Sequence, residues 1–380
     1  MCPRKYYLQN IEKLVPLQKS SSLCVGVAFD AAFNDILLNH GKQDVNLFNL
    51  GMESFYKAWE EQEDKYLGKI QLAKNPDIIY SKKDFEEGIL TEDDGNKIEE
   101  YFKEINNDEN QIGYATAYET FLYLRDHSKD FQFLPEHSKK FYNYVNWLSI
   151  RRKAPYIIEA YIRDFIPLID KVVSVQDQLS LESDGDSLVG VADFVVQLKP
   201  GKYNGVSVAA GENIIADNKS SGRAYLNKSY GSNSVRDSHQ LAKYKEILNQ
   251  KNMNIDKGAY FVFVKELLQT KNKTCKSCGN KSTGLAKTCD AKPDGKKRCG
   301  GEWSIEISYD VETRIVVDHI PDETIQAALN KVDETIDNIR AERFDPNYDS
   351  CNFQFGNRCP YFDYCESGCM DGLIKVEKKK

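Results

Sequence analysis

Hydrophobic and polar residues recur along this chain with two periods, and each change of period marks a predicted element. Apolar residues three or four apart predict helices over Leu23 to Leu38, Tyr156 to Asp170 and Glu323 to Arg340. Alternation at every second residue predicts a strand over Lys171 to Glu182. Short apolar runs predict further strands over residues 189–193, 214–217, 258–264 and 303–308. Helices that alternate with buried strands indicate an α/β fold.

Two of the apolar strands end in a carboxylate, in Gly190-Val191-Ala192-Asp193 and in Ile214-Ile215-Ala216-Asp217-Asn218-Lys219. A buried carboxylate is unfavourable unless a cation compensates its charge, so a metal ion shared by Asp193 and Asp217 is expected. Lys219 lies two residues beyond Asp217, and because side chains alternate along a strand, both point to one site. Gln240 and Tyr244 are four residues apart on a predicted helix and therefore share a face.

In order, these segments read G-x-x-D, D-x-K and Q-x-x-x-Y, and with them the chain resembles the PD-(D/E)xK nuclease superfamily. The similarity is to its RecB-like branch, with the CRISPR-associated adaptation nucleases and the AddB-type helicase-nucleases, and it extends from Cys2 to Cys365. It implies a restriction-endonuclease-like core, in which helices flank a central mixed sheet, and a Mg²⁺- or Mn²⁺-dependent deoxyribonuclease. The catalytic residues that it implies are Asp193, Asp217, Lys219, Gln240 and Tyr244.

The resemblance also draws attention to Asp30. The segment Gly26-Val27-Ala28-Phe29-Asp30 resembles the family's G-x-x-x-H helix, in which the His is an additional metal ligand, and here an Asp stands in its place. A carboxylate is a suitable oxygen ligand for Mg²⁺ or Mn²⁺. Asp30 is therefore either a metal ligand beside Asp193 and Asp217 or a solvated helix residue.

The chain has ten cysteines, and an internal group of four predicts a structural zinc site: Cys275, Cys278, Cys289 and Cys299. The first two have the spacing of a metal-binding knuckle, whereas nine residues separate the last two, which requires a longer loop. Without a metal this polar segment has almost no core of its own. Between Lys271 and Gly301 there are nine lysines and arginines but two acidic residues, so the segment is either a DNA contact or a solubilising surface.

The two ends of the chain carry a second group of cysteines. Cys2-Pro3-Arg4-Lys5-Tyr6 and Arg358-Cys359-Pro360-Tyr361-Phe362-Asp363-Tyr364-Cys365 resemble the terminal segments of the iron-sulfur subset of RecB-like nucleases. The resemblance implies a 4Fe-4S cluster held by Cys2, Cys351, Cys359 and Cys365. Zinc at this site is the alternative. Cys369 is a further thiol that can replace Cys351 or Cys2.

The expected organisation combines the restriction-endonuclease-like core with a helical insert and a small zinc-ribbon-like insert. An N-terminal cluster-ligand segment with the first core helix covers 1–40, the helical insert 41–155, the catalytic core 156–270, the four-cysteine insert 271–302, the C-terminal strand, helix and iron-sulfur segment 303–370, and a basic tail 371–380.

Composition limits the partners and the location. The net charge is -7 at pH 7, so contacts with DNA must come from a local positive surface. The chain has no apolar run of eighteen residues and no signal-peptide pattern, which predicts no membrane association and a cytoplasmic location in a bacterial or phage-infected cell. It also has no P-loop motif, so any coupling to unwinding requires a helicase or recombination partner.

The expected function is that of a metal-dependent DNA nuclease. It would be an exonuclease acting on single-stranded DNA or DNA ends in recombination, repair or phage DNA processing. One alternative is a non-catalytic DNA-binding or recombination accessory protein with a vestigial nuclease site. A nuclease that acts on RNA is the other. Metal-dependent turnover distinguishes the first alternative, and a panel of substrates distinguishes the second.

Overall fold

The computed structural model describes the chain on both sides of one long internal segment. It covers residues 2–16, 21–66, 150–151, 153–183, 186–283, 286–293, 295, 297–346, 359–370 and 373–376. The helices in these ranges are α1 (Pro3–Tyr6, continued by a π-helical turn over Tyr7–Ile11), α2 (Ser21–Leu38), α3 (Leu47–Tyr66), α4 (150–151 and 153–164), α5 (Leu226–Ser229), α6 (His239–Gln250), α7 (Asp322–Arg340) and α8 (Phe362–Ser367). None of these described helices combines the length and the hydrophobicity needed to cross a bilayer.

The described strands form one mixed sheet and two small ladders. They are β1 (Leu14–Pro16), β2 (Ile169–Ser183), β3 (Asp186–Leu198), β4 (Gly201–Tyr203), β5 (Val206–Val208), β6 (Asn213–Ser221), β7 (Lys257–Cys275), β8 (Lys281–Ser282), β9 (Trp303–His319) and β10 (Leu373–Lys375). The main sheet has the order β2-β3-β6-β7-β8, and β9 pairs with the other edge of β7. Strands β6 and β7 are parallel, and the other neighbours in this sheet are antiparallel.

Helices cover both faces of the main sheet. On one face α2, α3 and α4 build a core that includes Phe33, Trp59 and Phe261. On the other face α6 and α7 pack their apolar side chains against the sheet. Neighbouring residues of β6 enter different cores, Ile214 the first and Ile215 the second, which explains why this strand is a continuous hydrophobic run. The fold is therefore α/β, with a mixed central sheet flanked by helices.

Helix α3 lies in the part of the chain that the sequence analysis assigns to a helical insert. It packs against α2 in the same core, through Phe55 and Trp59. Most of that insert, residues 67–149, lies outside the described residues. The helix expected to reach Asp170 ends at residue 164, because a short turn over Ile166–Leu168 with Pro167 at its centre leads directly into β2.

Strands β7 and β9 are longer than their hydrophobic runs predict. They pair from Lys257 with His319 to Cys275 with Trp303, and the register is irregular only between Phe263 and Leu267. Up to Val264 every residue of β7 is buried, whereas beyond it exposed and half-buried residues alternate. The far half of this hairpin therefore lacks the apolar run that identifies a core strand.

The two ends of the chain lie together. Strand β1 pairs with β10, and the Tyr361 hydroxyl donates a hydrogen bond to the Leu14 carbonyl oxygen at 3.0 Å. Leu8, Leu14, Cys359, Tyr361 and Leu373 form a small core between them. Segments more than 340 residues apart in sequence thus form one structural unit.

Candidate active site and metal centres

The predicted catalytic carboxylates lie where β3 and β6 separate. The ladder between these strands runs from the Gln197–Asn213 pair to the Phe194–Ala216 pair and ends there. Asp193 and Asp217 are the next residues on the two strands, so they lie opposite each other where pairing stops. Asp217 is 3% exposed, and Asp193 is half-buried.

Lys219 lies on the same side of β6 as Asp217, as the alternation along a strand predicts. Its ammonium group forms an ion pair with Asp217 Oδ2 and donates a hydrogen bond to Gln240 Oε1 at 3.4 Å. It also lies 5.6 Å from the centre of the Tyr260 ring on β7. Burial lowers the pKa of Lys219, but the Asp217 carboxylate outweighs this effect and the net shift is upward. Lys219 is therefore a fixed cation in the site.

Three carboxyl groups interact electrostatically with this lysine, so acidic groups outnumber basic ones at this position. Burial, a hydrogen bond to Asp217 and the charges of Asp217 and Asp30 together raise the pKa of Asp193 to about 8. Asp30 projects from α2, and burial followed by the charge of Asp217 raises its pKa to about 6. Asp217 Oδ2 is buried and accepts no well-oriented hydrogen bond, although it is ion-paired with Lys219. Such a set has oxygen atoms left for a divalent cation.

Helix α6 presents both residues of the Q-x-x-x-Y segment to this gap. Ser238 caps its amino end, and Tyr260 on β7 donates a hydrogen bond to Ser238 Oγ at 2.6 Å, which fixes the helix against the sheet. Gln240 follows directly and contacts the lysine. One turn later, Tyr244 lies so close to Gly190 that a Cβ atom placed there would be 2.8 Å from the ring. The glycine of G-x-x-D therefore makes room for the tyrosine of Q-x-x-x-Y.

Tyr161 and the side chain of Asn218 belong to this site but were not predicted. Tyr161 on α4 is fully buried, and its ring stacks on Phe33 with centroids 3.9 Å apart. Burial raises the pKa of its hydroxyl, which lies near Asn218 and is affected by the charges of Asp30 and Asp193. Neither the Tyr161 hydroxyl nor Asn218 Oδ1 has a well-formed hydrogen bond. An aromatic residue on an amphipathic helix gives no sequence signal beyond that of the core.

The four internal cysteines meet at the end of the β7–β9 hairpin. The Sγ atoms of Cys275, Cys278, Cys289 and Cys299 all lie within 4.8 Å of one another. The Cys275–Cys299 and Cys278–Cys289 pairs are each separated by 3.6 Å between Sγ atoms. A tetrahedron with Zn–S bonds of about 2.3 Å has edges of about 3.8 Å, so these distances suit zinc. A Cβ atom on Gly301 would lie 2.8 Å from Cys275 Sγ, so a glycine is needed beside the sulfurs.

The thiols of this group differ in their acidity. Burial acts to raise the pKa of Cys275, but backbone N–H groups of Cys278 and Ser277 oppose it and the net pKa falls to about 6. Burial raises the pKa of Cys289 to about 12. Backbone N–H groups thus favour the thiolate of Cys275, whereas burial disfavours that of Cys289.

Three of the four implied cluster ligands also approach one another. Cys2 and Cys359 are buried, and both act electrostatically on Cys365, whose pKa is raised mainly by burial. Cys369 is half-buried nearby in sequence. Cys351 lies outside the described residues.

The internal cysteines form the tightest set of ligand atoms. Among the described residues, no other His, Cys, Asp or Glu side chains bring three ligand atoms within 4.8 Å of one another. The carboxylates around Lys219 and the terminal thiols are therefore more widely spaced sets. No protein-family model, curated protein or solved structure matches this chain.

Proposed function

We propose that the gap between β3 and β6 is the active site of a metal-dependent phosphodiesterase. The observation that carries the proposal is the meeting of Asp30, Asp193 and Asp217 around Lys219 at the end of the β3–β6 ladder. Within that class, we propose a DNA nuclease of the RecB-like branch. Its restriction-endonuclease-like core would consist of β2, β3, β6 and β7 with α2 and α6 on the two faces.

Asp193 and Asp217, joined by Asp30, would hold one or two Mg²⁺ or Mn²⁺ ions. The residues fit such ions because carboxylate oxygens are the ligands that both prefer, and because Asp217 Oδ2 lacks an oriented hydrogen bond. A bound ion supplies a water of lowered pKa and neutralises charge on the phosphate. The upward pKa shifts of Asp193 and Asp30 have the sign expected of carboxylates placed close together to share a cation.

Lys219 would stabilise the negative charge that develops on the phosphate during hydrolysis. Its raised pKa keeps it protonated, which favours the role of a fixed positive charge over that of a general base. Asp217 and Gln240 hold the ammonium group from two sides. Gln240 and Tyr244 would position the substrate strand beside it.

The two cysteine groups would have structural roles. Cys275, Cys278, Cys289 and Cys299 would bind zinc and close the β7–β9 hairpin. Cys2, Cys351, Cys359 and Cys365 would hold a 4Fe-4S cluster that joins the two ends of the chain, with zinc as the alternative. Protein purified without oxygen would then contain iron and acid-labile sulfide besides zinc.

The test is cleavage of end-labelled single-stranded DNA, double-stranded DNA and RNA with Mg²⁺ or Mn²⁺. We expect wild type to cleave DNA and Asp217→Asn and Lys219→Met to lower the rate by about a thousandfold while DNA binding persists. Asp318→Asn is the matched control, because Asp318 is another buried carboxylate on the sheet but is paired with Arg236 away from the gap.

Cleavage at the wild-type rate by both site variants would overturn the assignment. If wild type binds DNA but cleaves no substrate with either metal, the accessory-protein alternative replaces the nuclease. Cleavage of RNA alone would retain the site and change the substrate.

A further inference from the structure

Beyond the core, β7 and β9 continue as a two-stranded arm. The arm consists of residues 267–275 and 303–311, which pair without interruption from Leu267 with Val311 to Cys275 with Trp303. Its residues are largely exposed, including Leu268 and Ile305. The tip, residues 276–302, joins the two strands and contains the loops between the four cysteines. Main-chain hydrogen bonds such as Cys299 N to the Ala291 oxygen, at 2.8 Å, fold the tip around the sulfurs.

The arm and its tip carry a concentrated positive charge. Nine lysines and arginines and two acidic residues lie between Lys271 and Gly301, which gives this segment +7 in a chain whose net charge is -7. The rest of the protein is therefore strongly acidic. Four thiolates and one Zn²⁺ would still leave the segment at about +5. Among the described residues of the tip, the exposed basic side chains are those of Lys276, Lys281, Lys287, Lys292, Lys297 and Arg298.

The composition of the tip indicates what kind of partner it fits. Between residues 276 and 302 the sequence has no aromatic residue and no Val, Ile or Met. Stacking on bases and a hydrophobic protein interface both depend on such side chains. Lysine and arginine instead neutralise phosphates without regard to sequence. The chemistry of the tip thus matches a nucleic-acid backbone.

The arm also sets a distance from the tip to the gap between β3 and β6. Strands β6 and β7 are parallel, Lys219 is in register with Val262, and β6 ends in register with Val264, so the arm continues in the direction in which β6 runs. From the Val262–Arg314 pair to the Cys275–Trp303 pair, β7 advances thirteen residues and β9 eleven, because β7 bulges between Phe263 and Leu267. At about 3.3 Å per residue the two pairs are about 36 to 43 Å apart, which corresponds to about 11 to 13 base pairs of duplex at about 3.4 Å per pair.

We infer that the tip binds the phosphate backbone of a nucleic acid about one helical turn away from the gap between β3 and β6. Binding by the tip stands independently of catalysis. The spacing to the cleaved bond rests on the proposed function. A substrate that extends beyond about 12 base pairs from that bond would contact both the tip and the active site, and a shorter one would contact the active site alone.

The experiment compares two triple variants of the zinc-loaded full chain. The tip variant reverses the charge of three exposed tip residues, through Lys287→Glu, Lys297→Glu and Arg298→Glu. The control variant makes the same change in charge at exposed residues elsewhere, through Lys57→Glu, Lys202→Glu and Lys251→Glu. Binding to a labelled duplex of about 30 base pairs, as DNA and as RNA, is measured against salt in an Asp217→Asn background. We expect the tip variant to bind at least tenfold more weakly, with a salt slope reduced by about 3, and the control to change less than twofold.

Zinc content and Tm must match between the two variants. Replacing the same three tip residues with Gln removes their charge without reversing it, and should reduce the salt dependence of the affinity by about the same amount. Equal affinity and slope in the tip variant and wild type would overturn the inference, and so would an equal loss in the control. A loss confined to DNA or to RNA identifies which backbone the tip binds.

Cleavage kinetics test the spacing separately. The tip variant should lose activity on the long duplex but stay within about twofold of wild type on a hairpin of about 8 base pairs. An equal loss on both substrates would contradict the spacing. If the tip variant loses binding while wild type cleaves nothing, the inference stands and the proposed function fails.

Discussion

The two ends of the parallel β6–β7 pair both bury charged groups, but they balance them differently. At the amino-terminal end Lys257 is 6% exposed and forms an ion pair with Glu212. Lys245, equally buried, donates a hydrogen bond to the Ile320 carbonyl oxygen at 2.6 Å and lies 3.6 Å from Asp256. Two lysines thus face two carboxylates. Further along the same strands, three carboxylates face Lys219.

We take this difference to distinguish a structural charge network from the proposed metal site. Lysines that are paired with carboxylates and donate hydrogen bonds to backbone carbonyls hold neighbouring loops together. Such paired groups have little capacity to bind another ion. In the gap between the strands, burial and the neighbouring carboxylates raise the pKa of Asp193, and such a group of carboxylates favours a cation. Burial alone does not distinguish the two ends, because Asp217 and Lys257 are about equally buried.

The largest expected effect on stability is at the balanced end. Lys257→Met leaves the half-buried Glu212 carboxylate without its cation, so the free energy of unfolding should fall by about 3 kcal/mol. Cleavage per folded molecule should not change. Urea unfolding measures the first quantity, and the double variant Lys257→Met/Glu212→Leu should recover most of the loss. A parallel loss of cleavage would mean that the two ends are not functionally separate.

We expect the excess of carboxyl groups near Lys219 to make the stability of the protein depend on pH. The folded pKa of Asp193, about 8, exceeds the ordinary value, so the folded metal-free protein binds this proton more tightly than the unfolded chain. The contribution is complete below about pH 4 and is lost as the pH rises towards about 8. Asp193→Asn should flatten this decline in Tm, and saturating Mn²⁺ should oppose it. A metal-free wild type with constant Tm over this range would contradict the charge excess.

Much of the site could be predicted from local spacing. Alternation along a strand places Asp217 and Lys219 together, and one helical turn relates Gln240 to Tyr244. These relations depend only on the backbone period. The grouping of Cys275 with the three other internal cysteines likewise could be predicted from the sequence, because a polar segment with four thiols has almost no apolar core of its own.

What could not be predicted depends on contacts between distant segments. The end of the β3–β6 ladder at Phe194 creates the gap, yet no residue type marks the end of a ladder. Tyr161 reaches the site from a helix whose pattern indicates only core. The outer half of β7 is a strand because β9 pairs with it. Its residues are mostly polar, so no hydrophobic pattern predicts a strand there.

A smaller effect should follow from filling the space beside Tyr244. Gly190→Ala places a methyl group 2.8 Å from the Tyr244 ring, which must move while α6 stays in place. We expect cleavage to fall by about tenfold, which is about 1.4 kcal/mol, with little change in Tm. Gly26→Ala on α2 is the control, because a Cβ there meets nothing within 4 Å. Unchanged kcat/KM in Gly190→Ala would remove Tyr244 from the site.

The smallest expected effect concerns a buried polar group near Lys219 that has no well-oriented hydrogen bond. The buried Tyr161 hydroxyl lies near Asn218 but forms no well-oriented hydrogen bond, so Tyr161→Phe should raise the free energy of unfolding of the metal-free protein by up to about 1 kcal/mol. Tyr361→Phe is the matched control, because that buried hydroxyl donates to the Leu14 oxygen and its loss should lower stability by about 1 kcal/mol. Chemical denaturation measures the change in the free energy of unfolding for both variants. Changes of opposite sign would indicate that the Tyr161 hydroxyl does not stabilise the fold, whereas the Tyr361 hydroxyl does. If both variants lost stability equally, the Tyr161 hydroxyl would be a structural hydrogen-bond donor, and the contrast between the two ends would be one of charge alone.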